Sequence, residues 1–157
     1  MSEEQIVKVS TKGKWEEGVR TKVYVRDFDP IVLDEPEELG GSDQGPNPVE
    51  YVLASLSGCT LVLIEMIAKE LNFSYTGIEF ENEGLLDLRG MNGVEGVSPH
   101  FQKVTFKVII DTDESDNRLK QLNEEVIRRC PVYNLLKDAG IELESPWIKK
   151  ETVATTK

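Results

Sequence analysis

The sequence predicts an α+β protein, and three observations carry that expectation. Apolar and polar residues alternate with period two near the start and again in the middle of the chain, as half-buried strands do. One long apolar run, residues 51–68, lies between those two regions and has the length of a helix. Residues 115–129 then carry Leu119, Leu122 and Val126 at i, i+3 and i+7, the stripe of an amphipathic helix.

In chain order, residues 6–15 read as a first strand, followed by the turn residues Glu16, Glu17 and Gly18. Val19, Thr21, Val23 and Val25 then alternate with Arg20, Lys22, Tyr24 and Arg26, which predicts one buried and one more polar face. Asp29–Pro30 is a turn signal, and residues 31–34 form a third short strand. A loop rich in Gly, Pro and acidic residues spans 35–48. Asn47 suits a helix N-cap and Pro48 the first helical position, so a long helix should run to about Leu71, apolar nearly all round. Its middle holds Ala54, Ser55, Gly58 and Cys59. Glycine inside a helix costs about 1 kcal/mol relative to alanine. Small residues four apart let another backbone approach, either within the subunit or from a partner helix across a dimer.

Residues 75–88 and 103–111 read as two further strands, joined through the Gly-rich hairpin loop RGMNGVEGVSPH. In the helix at 115–129, position 130 lies only about 20° around from Leu119, so Cys130 should face the core. Pro131 disfavours helix at Cys130 itself, which predicts a break there, a short restart at Pro131 and an end near Gly140. Residues 141–148 are a last strand, and the tail ETVATTK should fray.

The 157 residues point to a single domain, 1–157. A net charge of −11 argues against nucleic acid as a partner, because phosphate neutralisation needs clustered Lys and Arg. The start lacks a basic segment followed by an apolar run, so no signal peptide is read and a cytoplasmic, reducing compartment is expected. The apolar run 51–68 falls short of the ~20 predominantly apolar residues of a membrane span. It is also interrupted by Ser55, Ser57, Gly58, Cys59, Thr60 and Glu65. A buried helix, with no membrane partner, is the expectation. His100 is the lone histidine, in a polar loop beside Pro99, and neither CxxC nor paired-His spacing occurs; no metal or other cofactor is expected. The two cysteines are Cys59 and Cys130. In a reducing compartment such a pair is catalytic, redox-active or simply buried.

Three segments resemble the OsmC/Ohr superfamily (osmotically inducible protein C and organic hydroperoxide resistance protein). They are LDEPEELGGSDQGPNPVEYVLASLSGC at 33–59, with Asn47 twelve residues before Cys59; RRCPVYNLL at 128–136; and the closing GIELESPW. The order of predicted elements agrees along nearly the whole chain. The resemblance implies an OsmC-like fold in which an antiparallel sheet packs on two long central helices and two chains intertwine as a homodimer. It also implies a thiol peroxidase. Cys59 would attack an organic hydroperoxide and become a sulfenic acid, Cys130 would resolve it as a disulfide, and a dithiol would reduce that disulfide. The alternative is a non-catalytic dimer of the same fold that binds a small apolar or thiol ligand in the same cleft.

An attacking cysteine must be a thiolate, and an ordinary thiol pKa near 8.5 leaves it mostly protonated. Cys59 is about three turns inside its helix, too deep for the dipole to help, so a cation is needed. Arg20 and Arg26 share a face of their predicted strand but lie roughly 20 Å apart. The family's arginine falls at the start of the second strand, which favours Arg20. The family's glutamate, directly after the Asn-Pro pair, is Val49 here, and Glu50 follows. Glu50 lies about 180° around and about 13 Å along the helix from Cys59, so it would act across a subunit interface or serve as a first-turn acid. By helix position alone, Cys130 at a helix N-terminus would be the more acidic thiol; the resemblance assigns the attack to Cys59.

Overall fold

Strand pairing begins later than the alternation predicts. In the computed structural model of the chain, which describes residues 2–151, residues 2–11 form no strand. Strand β1 runs Lys12–Glu17, and a two-residue turn, Gly18–Val19, leads into β2, Arg20–Tyr24. Glu16 and Glu17 therefore belong to the strand rather than to the turn. Gly18 has φ 52°, a left-handed conformation that glycine adopts without a Cβ penalty. The third strand, β3, is Ile31–Leu33. All three pair antiparallel in the order β1-β2-β3.

Two compact units make up the chain, residues 1–52 and 53–157. Among its described residues the first unit has one buried side chain, Asp34. Its three strands bury no apolar residue fully, and such a sheet lacks the hydrophobic cover that independent stability requires.

Helix α1, Pro48–Leu71, starts in the first unit and continues through the second, with the bounds its N-cap signal predicts. Within the second unit it buries one face: Leu56, Thr60, Leu63, Ile64, Ile67 and Ala68. The expectation of burial all round is corrected, because Leu61, Val62 and Met66 are 44%, 56% and 47% exposed. By length and composition alone α1 could cross a membrane. Ala54, Ser55 and Gly58 are exposed as well. A Cβ added at Gly58 would meet nothing within 4 Å, so close packing inside the chain is not what this glycine serves.

Against the buried face of α1 the second unit builds its sheet. Strand β4, Gly77–Leu86, pairs antiparallel with β5, Phe101–Asp111. The connection between them carries a short helix, α2, Leu88–Met91, capped by Asp87, where the Gly-rich pattern predicts only a loop. Helices α3, Asp116–Arg129, and α4, Pro131–Asp138, follow. The expected last strand is divided into β6, Glu142–Glu144, and β7, Trp147–Lys149, at Ser145–Pro146. Both pair with β5 in parallel, Val104 opposite Leu143 and Ile109 opposite Ile148. The sheet is therefore mixed, not antiparallel. The connection through α3 and α4 supplies the long crossover that parallel neighbours require. Pro146 has no N–H, but its carbonyl accepts from Val108 N at 2.9 Å, so the break costs the ladder little.

The core consists of Leu56, Ile64 and Ile67 from α1, Val104, Phe106, Val108 and Ile110 from alternate positions of β5, and Leu119, Leu122 and Val126 from α3. Phe80 stacks on Phe106 with ring centroids 5.6 Å apart. Each such side chain contributes roughly 1.5–3 kcal/mol on burial. Of the tail expected to fray, all but Glu151 lies outside the described residues.

Candidate functional site

The second unit brings the two cysteines together, and each arrives by a different local device. Cys59 lies at the border of the buried face of α1 and is half-buried, one residue before the fully buried Thr60. Cys130 occupies the break between α3 and α4, with φ −74° and ψ 115°. Pro131 imposes that extended conformation on its predecessor. Asn134 holds the break in place: its Nδ2 donates to the carbonyls of Ile127 and Cys130 at 2.8 Å each and of Arg128 at 3.3 Å.

Both thiols are free, and Cys59 is near enough to Cys130 to oppose its ionisation. Cys130 has no exposed surface. Its Sγ accepts the Tyr133 N–H at 3.4 Å. Burial pushes the Cys130 thiol above its ordinary value and the neighbouring Cys59 pushes it further, while the Tyr133 amide and the Thr60 hydroxyl pull it down. This corrects the argument from helix position, which makes Cys130 the more acidic thiol. The N-terminal amide is present, but desolvation of a thiolate outweighs it. Such a pair, one thiol reachable and one sealed, can exchange between dithiol and disulfide.

In the first unit, Arg20 opens β2 and is held on several sides. Its Nε donates to Glu16 at 3.2 Å, Nη2 to Glu17 at 2.6 Å and Nη1 to Ser42 Oγ at 2.8 Å, with Asp34 Oδ2 3.9 Å from Nη1. Asp34 is 1% exposed. It accepts from Glu35 N, Ser42 N, Ser42 Oγ and Gln44 N. Burial opposes its charge, yet those donors hold its carboxyl at about 2. Arg26 is not on the strand with Arg20: β2 ends at Tyr24, and Arg26 sits in the following turn at φ 50° with its guanidinium 4.7 Å from the Phe28 ring centroid. Glu50 forms a reciprocal cap with Asn47: Glu50 Oε2 accepts from Asn47 N at 2.8 Å and Asn47 Oδ1 from Glu50 N at 2.9 Å, the capping-box arrangement.

Arg20 and Glu50 thus belong to the first unit and the cysteines to the second. Reasoning from sequence passed over Asp34, Thr60 and Asn134. Thr60 carried one usable signal, its place beside Cys59 on a face shared with Leu56, Leu63 and Ile67. Asp34 and Asn134 carried none beyond their residue types. His100 is exposed, and among the described residues no group of three or more His, Cys, Asp or Glu side chains is placed to hold a metal ion.

An α+β fold with a neighbouring pair of free cysteines, one on a long helix and one at a helix–helix break, defines a class of dithiol protein. The chain belongs to the OsmC-like protein family, whose model matches residues 41–145. No curated protein matches it by sequence. The fold is similar to that of an OsmC-like protein from Mycoplasma pneumoniae, at TM-score 0.80 and 17% identity over 94% of this chain and 100% of that one. It is also similar to an organic hydroperoxide resistance protein OsmC from Legionella pneumophila, at TM-score 0.69 and 19% identity over 94% and 100%. An organic hydroperoxide resistance protein from Elizabethkingia anophelis gives TM-score 0.71 and 14% identity over 94% and 99%. At these identities the likeness shows the fold.

Proposed function

We propose that the protein is a cytoplasmic, homodimeric thiol peroxidase that reduces organic hydroperoxides and is re-reduced by a dithiol. The observation that carries this reading is the nearness of a half-buried Cys59 to a sealed Cys130. A peroxide can reach the first thiol and not the second. In the proposed cycle the Cys59 thiolate attacks one peroxide oxygen, the O–O bond breaks and the alcohol leaves. Cys130 then attacks the sulfenic sulfur and expels water, leaving a Cys59–Cys130 disulfide. The names of the similar Legionella and Elizabethkingia proteins support the substrate class. Family resemblance gives Arg20 the task of supporting the Cys59 thiolate, and its hydrogen bonds to Glu16, Glu17 and Ser42 preset its orientation. For Glu50 a role across the subunit interface is proposed beside its capping one.

One observation favours the second reading, a dimer that binds a small apolar or thiol ligand without turnover. The Arg20 charge is already met by the carboxylates of Glu16, Glu17 and Asp34, and the family's glutamate position holds Val49. An alkyl-hydroperoxide turnover assay with a dithiol reductant separates the two. Cys59→Ser should consume no peroxide. Cys130→Ser should react once, stop at sulfenic acid and go on to sulfinic acid in excess peroxide, read by mass as two added oxygens. Two equally inert variants of an inert protein would overturn the peroxidase reading, and a ligand thermal-shift screen would then separate ligand binding from two merely buried cysteines.

A further inference from the structure

We infer that Asn134 is a positioning residue for Cys130: its side-chain amide fixes the angle of the α3–α4 break and so holds the Cys130 thiol where it can close a disulfide with Cys59. The inference rests on the reading that the two cysteines form a dithiol couple.

The sequence at the break leaves a carbonyl to be satisfied. In a continuous helix the Ile127 carbonyl would accept from the amide four residues on, but that residue is Pro131, which has no N–H. Asn134 supplies the missing donor, Nδ2 to Ile127 O at 2.8 Å. The same nitrogen donates to Arg128 O at 3.3 Å and to Cys130 O at 2.8 Å. Turned over, the side chain would set its own oxygen against three carbonyl oxygens, so its orientation is determined. Proline makes the break, because it bars its predecessor from helical backbone, but it leaves ψ of that predecessor a range of about 40°. Asn134 belongs to α4, and Ile127 and Arg128 belong to α3. The bonds between them therefore select one angle within that range.

That angle controls the thiol. Cys130 N donates to Val126 O at 2.9 Å, and Cys130 O accepts from Asn134 N at 3.1 Å as well as from Nδ2. Cys130 Sγ accepts from Tyr133 N, in the first turn of α4, at 3.4 Å. The residue has no exposed surface. Its backbone and sulfur are thus tied to both helices, and a change in the angle between them moves the sulfur, its amide donor or both. Disulfide closure tolerates little such movement, since bridging needs Cβ atoms about 3.5–4.5 Å apart. A misplacement of about 1 Å can slow a reaction about a hundred-fold. Cys59 stands on α1, so Asn134 should govern the closing step and not the reactivity of Cys59 itself.

The test uses no peroxide, so an absence of peroxidase activity leaves it intact. The reduced full-length protein is mixed with excess dithiobis(nitrobenzoate), and release of the coloured thionitrobenzoate is followed by stopped flow. The Cys59 thiolate attacks one reagent sulfur, the reagent's S–S bond breaks, and the first thionitrobenzoate leaves with its electron pair. Cys130 gives its proton to solvent and attacks the Cys59 sulfur, which expels the second thionitrobenzoate and closes the protein disulfide. The first phase should speed up with reagent concentration and the second should not. Asn134→Ala should leave the first phase unchanged and slow the second about ten-fold or more. Asn134→Ser should also slow it, because a serine hydroxyl reaches only the carbonyl one turn back, and this variant keeps the test open if alanine prevents folding. Leu119→Ala removes a core side chain from α3 and shows what lost stability alone does; both of its phases should keep their rates. A second phase as fast in the Asn134 variants as in the unsubstituted protein overturns the inference and leaves the dithiol reading standing. Equal slowing in Leu119→Ala does the same. A single phase in the unsubstituted protein, or a second phase that speeds up with reagent, overturns the dithiol reading and the inference with it.

Discussion

A buried carboxylate persists only where donors replace the water it has lost, and Asp34 is such a case. Two carboxyl oxygens receive three backbone amides and one hydroxyl, and the same Ser42 hydroxyl that donates to Asp34 accepts from Arg20. Asp34 therefore fixes the loop through 35–44 and, through Ser42, one side of the Arg20 guanidinium. Its pH dependence has a definite sign. Its folded-state value of about 2 lies below the ordinary 3.8, so its stabilisation is complete above the ordinary value and is lost as pH falls from there toward about 2. Asp34→Asn should destabilise the protein near neutral pH, and the gap to the unsubstituted protein in urea unfolding should narrow below about pH 4. A gap that is the same at pH 6 and pH 3 would show that Asp34 acts by shape alone. The sequence could single out Arg20 as a candidate, because the resemblance places an arginine at the start of the second strand. It could not mark Asp34, one of 29 acidic residues, because nothing in its local pattern distinguishes a carboxylate that collects amides from one that faces water.

Among elements, the α3–α4 break is the one that turns sequence into site geometry. The stripe Leu119, Leu122, Val126 and the proline at 131 were legible because each acts locally: one by helical period, the other by steric exclusion at its predecessor. The brace was not legible. Asn134 lies beyond the break and reaches back to the Ile127 and Arg128 carbonyls at the end of α3 and to the Cys130 carbonyl, which also accepts the Asn134 backbone amide. Asn134→Ala should cost about 1–3 kcal/mol, the penalty for stranding partly buried carbonyls. In a urea titration followed by circular dichroism the midpoint should fall while helix content is kept. Loss of less than ~0.5 kcal/mol would mean that the proline alone sets the break. Strand direction was illegible for a related reason. Period-two alternation is the same for parallel and antiparallel strands, so β6 and β7 could be recognised as extended chain but not oriented.

At the scale of the whole molecule, two surfaces lack cover. Among its described residues the first unit has no fully buried apolar side chain, and α1 exposes Leu61, Val62 and Met66 beside Gly58. Contiguous apolar surface of this kind marks an interaction site, and a second copy of the chain is the proposed occupant. Gly58 offers a test with opposite signs for the two cases. In an isolated chain, Gly58→Leu fills open space, since nothing lies within 4 Å of an added Cβ, and it removes a helix-interior glycine, so stability should rise by about 0.5–1 kcal/mol. If a partner helix approaches closely at Gly58, the same side chain must collide with it. The expected result is that sedimentation equilibrium at micromolar concentration gives twice the 17.7 kDa chain mass for the unsubstituted protein and a shift toward the single-chain mass for Gly58→Leu. A monomeric unsubstituted protein, or a Gly58→Leu dimer as tight as the original and more stable, would remove α1 from the interface. The first outcome would leave the exposed stripe for a different partner. The second would move the dimer contact to the uncovered sheet of the first unit.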